Sequence, residues 1–160
     1  MIYRLALLTC LLIGCAESPK PTPQKRAQAE PVAVPPRESK SLYERLGGAP
    51  AITKVVDDFV AIIVVDERID ERHRKHFREG NVDLLKQKLI DQVGEATGGP
   101  HQYTGKDMKA AHQGLGLTNL DFDALIDDVK KALDKNGAAP ADRDELLAML
   151  QTMRKDVVEK

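Results

Sequence analysis

The sequence predicts an all-α domain, and three observations carry that prediction. From Ser41 onward, apolar residues recur at three- and four-residue steps, the spacing of one helix face. No stretch sustains the apolar–polar alternation of a half-buried strand. Helix stops stand between the periodic stretches: Gly47-Gly48, Gly98-Gly99-Pro100, Gly114 with Gly116, and Asn136-Gly137.

Each element has its own signal. Ser41 followed by Glu44 is a capping box, which opens a short helix over Leu42–Leu46. Pro50 suits the first turn of the next helix, where its missing N–H costs nothing. Ile52, Val55, Val56, Phe59, Val60 and Ile63 form the buried face of that helix. The β-branched run Ile62–Val65 is read as its continuation, since it has no alternation and no partner strand. The charge-dense segment 66–76 reads as a solvated loop or short helix. Asn81 caps a helix with Val82, Leu85, Leu89, Val93 and Ala96 on one stripe. A loop leads to a short helix over Lys106–His112. Thr118 caps a helix that turns Phe122, Leu125, Ile126, Val129 and Leu133 inward. A last helix begins near Pro140 and buries Leu146, Leu147, Leu150, Met153 and Val157.

The residues before Ser41 have a different character. Arg4 and the apolar run Leu5–Ile13 read as a secretory signal, too short to span a bilayer, which takes about 20 apolar residues. Leu12-Ile13-Gly14-Cys15 resembles a bacterial lipobox, which implies cleavage before Cys15 and lipid on its sulfur. Residues 1–14 are then a signal peptide, and 15–40 a lipidated cysteine with a linker. Six prolines between Pro19 and Pro36, among polar residues, favour extended solvated chain. The folded domain is 41–160. The expected location is the cell envelope, on the periplasmic face of the outer membrane in a Gram-negative cell.

Composition narrows the chemistry. Cys10 and Cys15 are the only two cysteines and both precede the domain, so the domain holds no disulfide. Basic and acidic residues number 24 and 25, which leaves no positive excess to attract nucleic acid. No phosphate-binding glycine loop is present. Aromatic residues make up 4% of the chain and tryptophan is absent, so the core is thin. A large flat apolar cofactor would thicken it.

Five segments together carry a resemblance. They are Leu42-Tyr43-Glu44-Arg45-Leu46-Gly47-Gly48, Val55-Val56-Asp57-Asp58-Phe59, Gly98-Gly99-Pro100, Tyr103-Thr104-Gly105 and Met108-Lys109-Ala110-Ala111-His112. In this order and spacing the chain resembles the group I truncated haemoglobins. The resemblance implies a globin-like sandwich of two helices over two around haem b, an iron protoporphyrin. It implies His112 as the iron ligand, with Met108 and Leu117 on the same side. It places Phe77 against the haem face and Tyr103 at its edge or across its own loop. Lys88 takes the position of a residue that pairs with a haem propionate or ligates iron, or else it is a surface lysine.

The resemblance also marks a departure. Val60 stands where the family commonly carries tyrosine, and Leu85 and Leu89 where a polar residue faces the ligand. With Phe77 and Val93 they predict an apolar distal pocket without a donor. A hydrogen bond to a charged acceptor contributes about 1.5–3 kcal/mol, so a polar ligand such as dioxygen loses more there than carbon monoxide or nitric oxide. His73 and His76, three residues apart, are further candidate donors, ligands or a surface metal pair. The expected function is a haem protein that binds a diatomic gas. Alternatives are haem-mediated electron transfer with a redox partner, nitric-oxide or peroxide chemistry, and a haem-free helical lipoprotein that binds other proteins.

Overall fold

The computed structural model describes residues 40–160, and every regular element among them is helical. The signal peptide, Cys15 and the proline-rich linker lie outside the described residues. Eight helices follow in order: α1 Leu42–Arg45, α2 Gly48–Ile63, α3 Glu71–His76, α4 Val82–Ala96, α5 Met108–His112, α6 Asn119–Lys135, α7 Pro140–Thr152 and α8 Arg154–Val157. α2 packs on both α4 and α6, and α6 packs on α7. The result is two long helices over two, with α5 and α8 against each other at one end.

The ends of the helices form as the side chains dictate. The box of Ser41 and Glu44 closes both ways, and Thr118 with Asp121 makes a second one at the start of α6. Asn81, Asp70 and Asp107 cap α4, α3 and α5. α4 ends with Gly98 N–H on the Glu95 carbonyl and Gly99 N–H on the Gly94 carbonyl. α6 ends the same way, with Gly137 on Asp134 and Ala138 on Leu133. Both are six-to-one closures that need a left-handed residue, and Gly98 and Gly137 supply φ of 82° and 74°. Pro50 sits at the third position of α2, within the first turn as expected, where its missing N–H costs nothing.

Three expectations are corrected. The segment 66–76 is not wholly solvated: Ile69 and His73 are buried, four residues apart, beneath a shell of charges. The last helix is two, because the α-pattern breaks at Met153 and resumes at Arg154. On α4, Ala96 is exposed, while Ile90 and Gly94 are the buried positions. α1 is tied to α7 by Arg45, whose Nε donates to Asp142 at 2.8 Å.

Candidate functional site

His112 ends the five-residue helix α5 and is half-buried. Its Nδ1 lies 2.7 Å from the Met108 carbonyl, one turn earlier. A carbonyl only accepts, so Nδ1 carries the proton and Nε2 keeps a bare lone pair. A ligating histidine is oriented by such a bond from its second nitrogen.

Two cavities of about 370 Å³ and about 630 Å³ meet at this residue. Phe77, Leu85, Leu89, Gln92, Met108, His112, Phe122 and Leu125 line both. Each volume falls in the roughly 300–1,000 Å³ range of small-molecule and cofactor sites. The first cavity runs between α2 and α7 past Val56, Phe59, Val93 and Leu150. The second opens toward α3 and the loop after α4, past His73, Lys88, Tyr103, Lys106 and Leu117.

Most of the residues singled out by sequence therefore come together. Phe77, Leu85, Leu89 and Met108 line both cavities; Val93 lines the first, and Lys88, Tyr103 and Leu117 the second. Tyr103 lines the second cavity, and its hydroxyl donates to the Lys106 carbonyl at 2.8 Å across its own loop. Val60 is the correction. It lines neither cavity and packs in the core with Ile63, Ile69 and Ala124. Successive helix residues point about 100° apart. Phe59 takes the cavity side of α2 and turns Val60 toward α6.

Gln92 is the residue that sequence reading missed. Its amide lies in the lining of both cavities, with Nε2 3.0 Å from the Met108 sulfur and 3.7 Å from that of Met153. It stands three residues after Leu89 and seven after Leu85, on the same face of α4, so the periodicity already contained it. The wall shared by the two cavities is thus apolar at Leu85 and Leu89 but carries the Gln92 amide.

The loop after His112 is held from two sides. Glu159 accepts from the amides of Gly114 and Gly116, each at 2.6 Å. These two amides hold its carboxyl below the usual range. From the other side, Nε2 of the buried His73 donates to the Leu115 carbonyl at 2.9 Å. His73 Nδ1 has no hydrogen bond among the described residues and lies 3.7 Å from Asp121. Burial pushes the Asp121 carboxyl up, but bonds from the Thr118 hydroxyl and the Thr118 and Asp70 amides outweigh it and hold it low.

The donor set decides what fits. Among the described residues no group of three His, Cys, Asp or Glu side chains gathers as a metal site. Among the described residues His73 and His76 gather no third His, Cys, Asp or Glu side chain with which to hold a metal ion. A single neutral imidazole nitrogen in an apolar cavity suits a metal ion that brings its remaining ligands with it, on a flat apolar frame. Lys88, Lys106 and His76 beside the second cavity suit acidic groups on such a frame.

Comparison with known proteins points the same way. The family described as bacterial-like globin matches residues 41–159. A group 1 truncated hemoglobin of Tetrahymena pyriformis is 34% identical over 122 residues, covering 76% of this chain and 97% of that protein. One from Mycolicibacterium paratuberculosis is 32% identical, covering 75% of this chain and 85% of that one. The crystal structure of a 2/2 hemoglobin from Synechococcus, in the cyanomet state with covalently attached heme, superposes with a TM-score of 0.67 at 31% identity. It covers 76% of this chain and all of that one.

Proposed function

The chain belongs to the bacterial-like globin family, among relatives of the group 1 truncated haemoglobins, and on that premise we propose that it binds haem through His112 and takes a diatomic gas at the iron. The observation that carries the reading is the hydrogen bond from His112 Nδ1 to the Met108 carbonyl, which leaves Nε2 bare at the junction of the two cavities. The apolar walls at Phe77, Leu85, Leu89 and Leu125 would hold the faces of the haem, and Lys88 and Lys106 its carboxylates. When bound, haem supplies an iron with one position for the imidazole and one for dioxygen, nitric oxide or carbon monoxide.

The chain's own residues set the preference among gases. Leu85 and Leu89 put only hydrocarbon into the cavity. The Gln92 amide points its N–H groups at two thioether sulfurs, which are weak acceptors. A polar ligand gains little from such walls, and retention of dioxygen is correspondingly short.

Spectra of the haem-loaded chain test the reading. An intense Soret band in ferric and ferrous forms, weakened or shifted in His112→Ala, is the expected result. Failure to take up stoichiometric haem with the helices intact refutes it. A six-coordinate ferrous spectrum that reverts in Lys88→Ala would favour electron transfer instead, a reading supported by Lys88 beside the cavity. The sequence Leu12-Ile13-Gly14-Cys15 supports a lipid tether at a membrane surface. Loss of fatty-acid labelling in Cys15→Ser checks it.

A further inference from the structure

Outside the cavities, three side chains form a chain of hydrogen bonds at the corner where α1 meets the end of α4. Asp91 Oδ1 lies 3.2 Å from His101 Nδ1, and His101 Nε2 lies 3.3 Å from the Tyr43 hydroxyl. Gln87 donates to the same Asp91 oxygen at 2.9 Å and steadies it. An ionised carboxylate only accepts, so Nδ1 carries the ring proton and bare Nε2 faces the phenol O–H. The tyrosine thus has a proton acceptor already aligned, itself backed by a carboxylate.

The backbone makes room for this pair. A Cβ built on Gly94 would lie 2.4 Å from His101 Cδ2, and one on Gly99 would lie 2.5 Å from Tyr43 Cδ2. Neither glycine has a positive φ, so the backbone does not call for it. Gly94 sits inside α4, where glycine costs up to about 1 kcal/mol against alanine. The space for two rings is the structural reason for both.

We propose that Tyr43 is a redox-active tyrosine, oxidised by one electron as its proton passes to His101. The Tyr43 O–H bond breaks, the electron goes to the oxidant, and the proton goes to Nε2. The products are a neutral phenoxyl radical and an imidazolium beside the Asp91 carboxylate. The oxidant rests on the haem reading above: with haem bound, hydrogen peroxide would take up two electrons and two solvent protons and leave as two waters, one electron drawn from Tyr43 and the other from the haem. Tyr43 packs on the same cluster as Leu89 and Val93, which line the first cavity, so one layer of side chains separates the two. Tyr103 lies nearer, but its hydroxyl donates to a peptide carbonyl, which cannot take the proton.

Freeze-quench electron paramagnetic resonance on the haem-loaded full chain, mixed with hydrogen peroxide, reads the radical. The tyrosyl signal is expected in the parent chain and in Tyr103→Phe, and lost in Tyr43→Phe. His101→Gln keeps an acceptor for the phenol but cannot hold the proton, so radical formation slows by roughly a hundredfold, the scale of lost general-base assistance. A second arm needs no haem: photo-oxidised ruthenium tris-bipyridine oxidises the chain as isolated, and the same ratio between parent and His101→Gln is expected. A signal that survives Tyr43→Phe and disappears in Tyr103→Phe overturns the proposal. So does equal photo-oxidation of parent and His101→Gln. Absence of haem uptake with the ratio intact sinks the haem reading and leaves Tyr43 standing.

Discussion

Replacing Gly94 with alanine asks whether the ring pair governs that corner of the fold. In isolation, alanine in the body of a helix is favoured over glycine by up to about 1 kcal/mol. Here the new methyl would meet His101 at 2.4 Å, 2.5 Å and 2.9 Å, on Cδ2, Cγ and Cβ. The nearest atoms belong to the ring and its root, not to a flexible tip, so the imidazole must move and the bonds to Tyr43 and Asp91 go with it. Overpacking of this kind costs about 1–3 kcal/mol, so Gly94→Ala alone is expected to lie between neutral and about 2 kcal/mol destabilising. In a His101→Ala background the clash is gone and the propensity gain survives, so the same substitution stabilises by about 0.4–1 kcal/mol. Urea unfolding followed by far-ultraviolet circular dichroism, run as a double-mutant cycle, reads the difference as a coupling of about 1–3 kcal/mol. Equal stabilisation in both backgrounds would refute the reasoning, since it would mean that His101 does not fill the space that Gly94 leaves.

Two further outcomes follow from the site. Leu85→Gln places an amide donor in the shared cavity wall; at about 0.5–1.5 kcal/mol for a hydrogen bond, dioxygen should leave roughly two- to tenfold more slowly while carbon monoxide changes little, as flash photolysis and stopped flow would show. Glu159 has its carboxyl held low by the Gly114 and Gly116 amides, so what it contributes is complete above the ordinary glutamate range and is lost as pH falls through the lowered value. The protection factors of the Gly114 and Gly116 amides, taken against intrinsic exchange at each pH, should therefore fall in acid, and Glu159→Gln should show lowered protection already at neutral pH; acid-independent protection would contradict it.

Much of the fold is legible in the residues. The caps at Ser41, Asn81 and Thr118 and the stops at Gly98 and Gly137 act locally, through side chains and φ angles that no distant contact needs to set. What escaped depends on tertiary packing. Ile69 and His73 are spaced for one helix face, but eight charged residues in the same segment mask two that turn inward. Val60 belongs to a helix that packs on two neighbours, so its apolar stripe is wide and periodicity cannot say which half faces the cavity. The break at Met153 has no glycine or proline to announce it, and Leu146, Leu150, Met153 and Val157 keep helical spacing across it. Within the site, periodicity alone would have left His112 as one more histidine. The block from Met108 to His112 marked it by resemblance, and in the folded chain its Nδ1 donates to the Met108 carbonyl. The pairing of Tyr43 with His101 spans 58 residues, and only the folded chain displays it.

The cavity walls and the hydrophobic core are largely the same residues. Phe77, Leu89 and Leu125 are half-buried and pack on the cluster of Phe59, Val60 and Ile63, while Val93 packs on that of Leu42, Leu133 and Leu146. All four also line a cavity. With aromatics at 4% of the chain, few side chains are large enough to cover both sides of such a wall. A flat apolar ligand would complete the burial of residues that the protein buries only halfway, so cofactor affinity and folding stability become one quantity. By mass action, a ligand at a hundredfold excess over its dissociation constant adds about 2.7 kcal/mol to the folded state. On the proposed reading, Leu85 and Leu89 would weaken the grip on a polar gas and strengthen the grip on the haem itself: each would put hydrocarbon against the ring where a polar side chain would have to lose water.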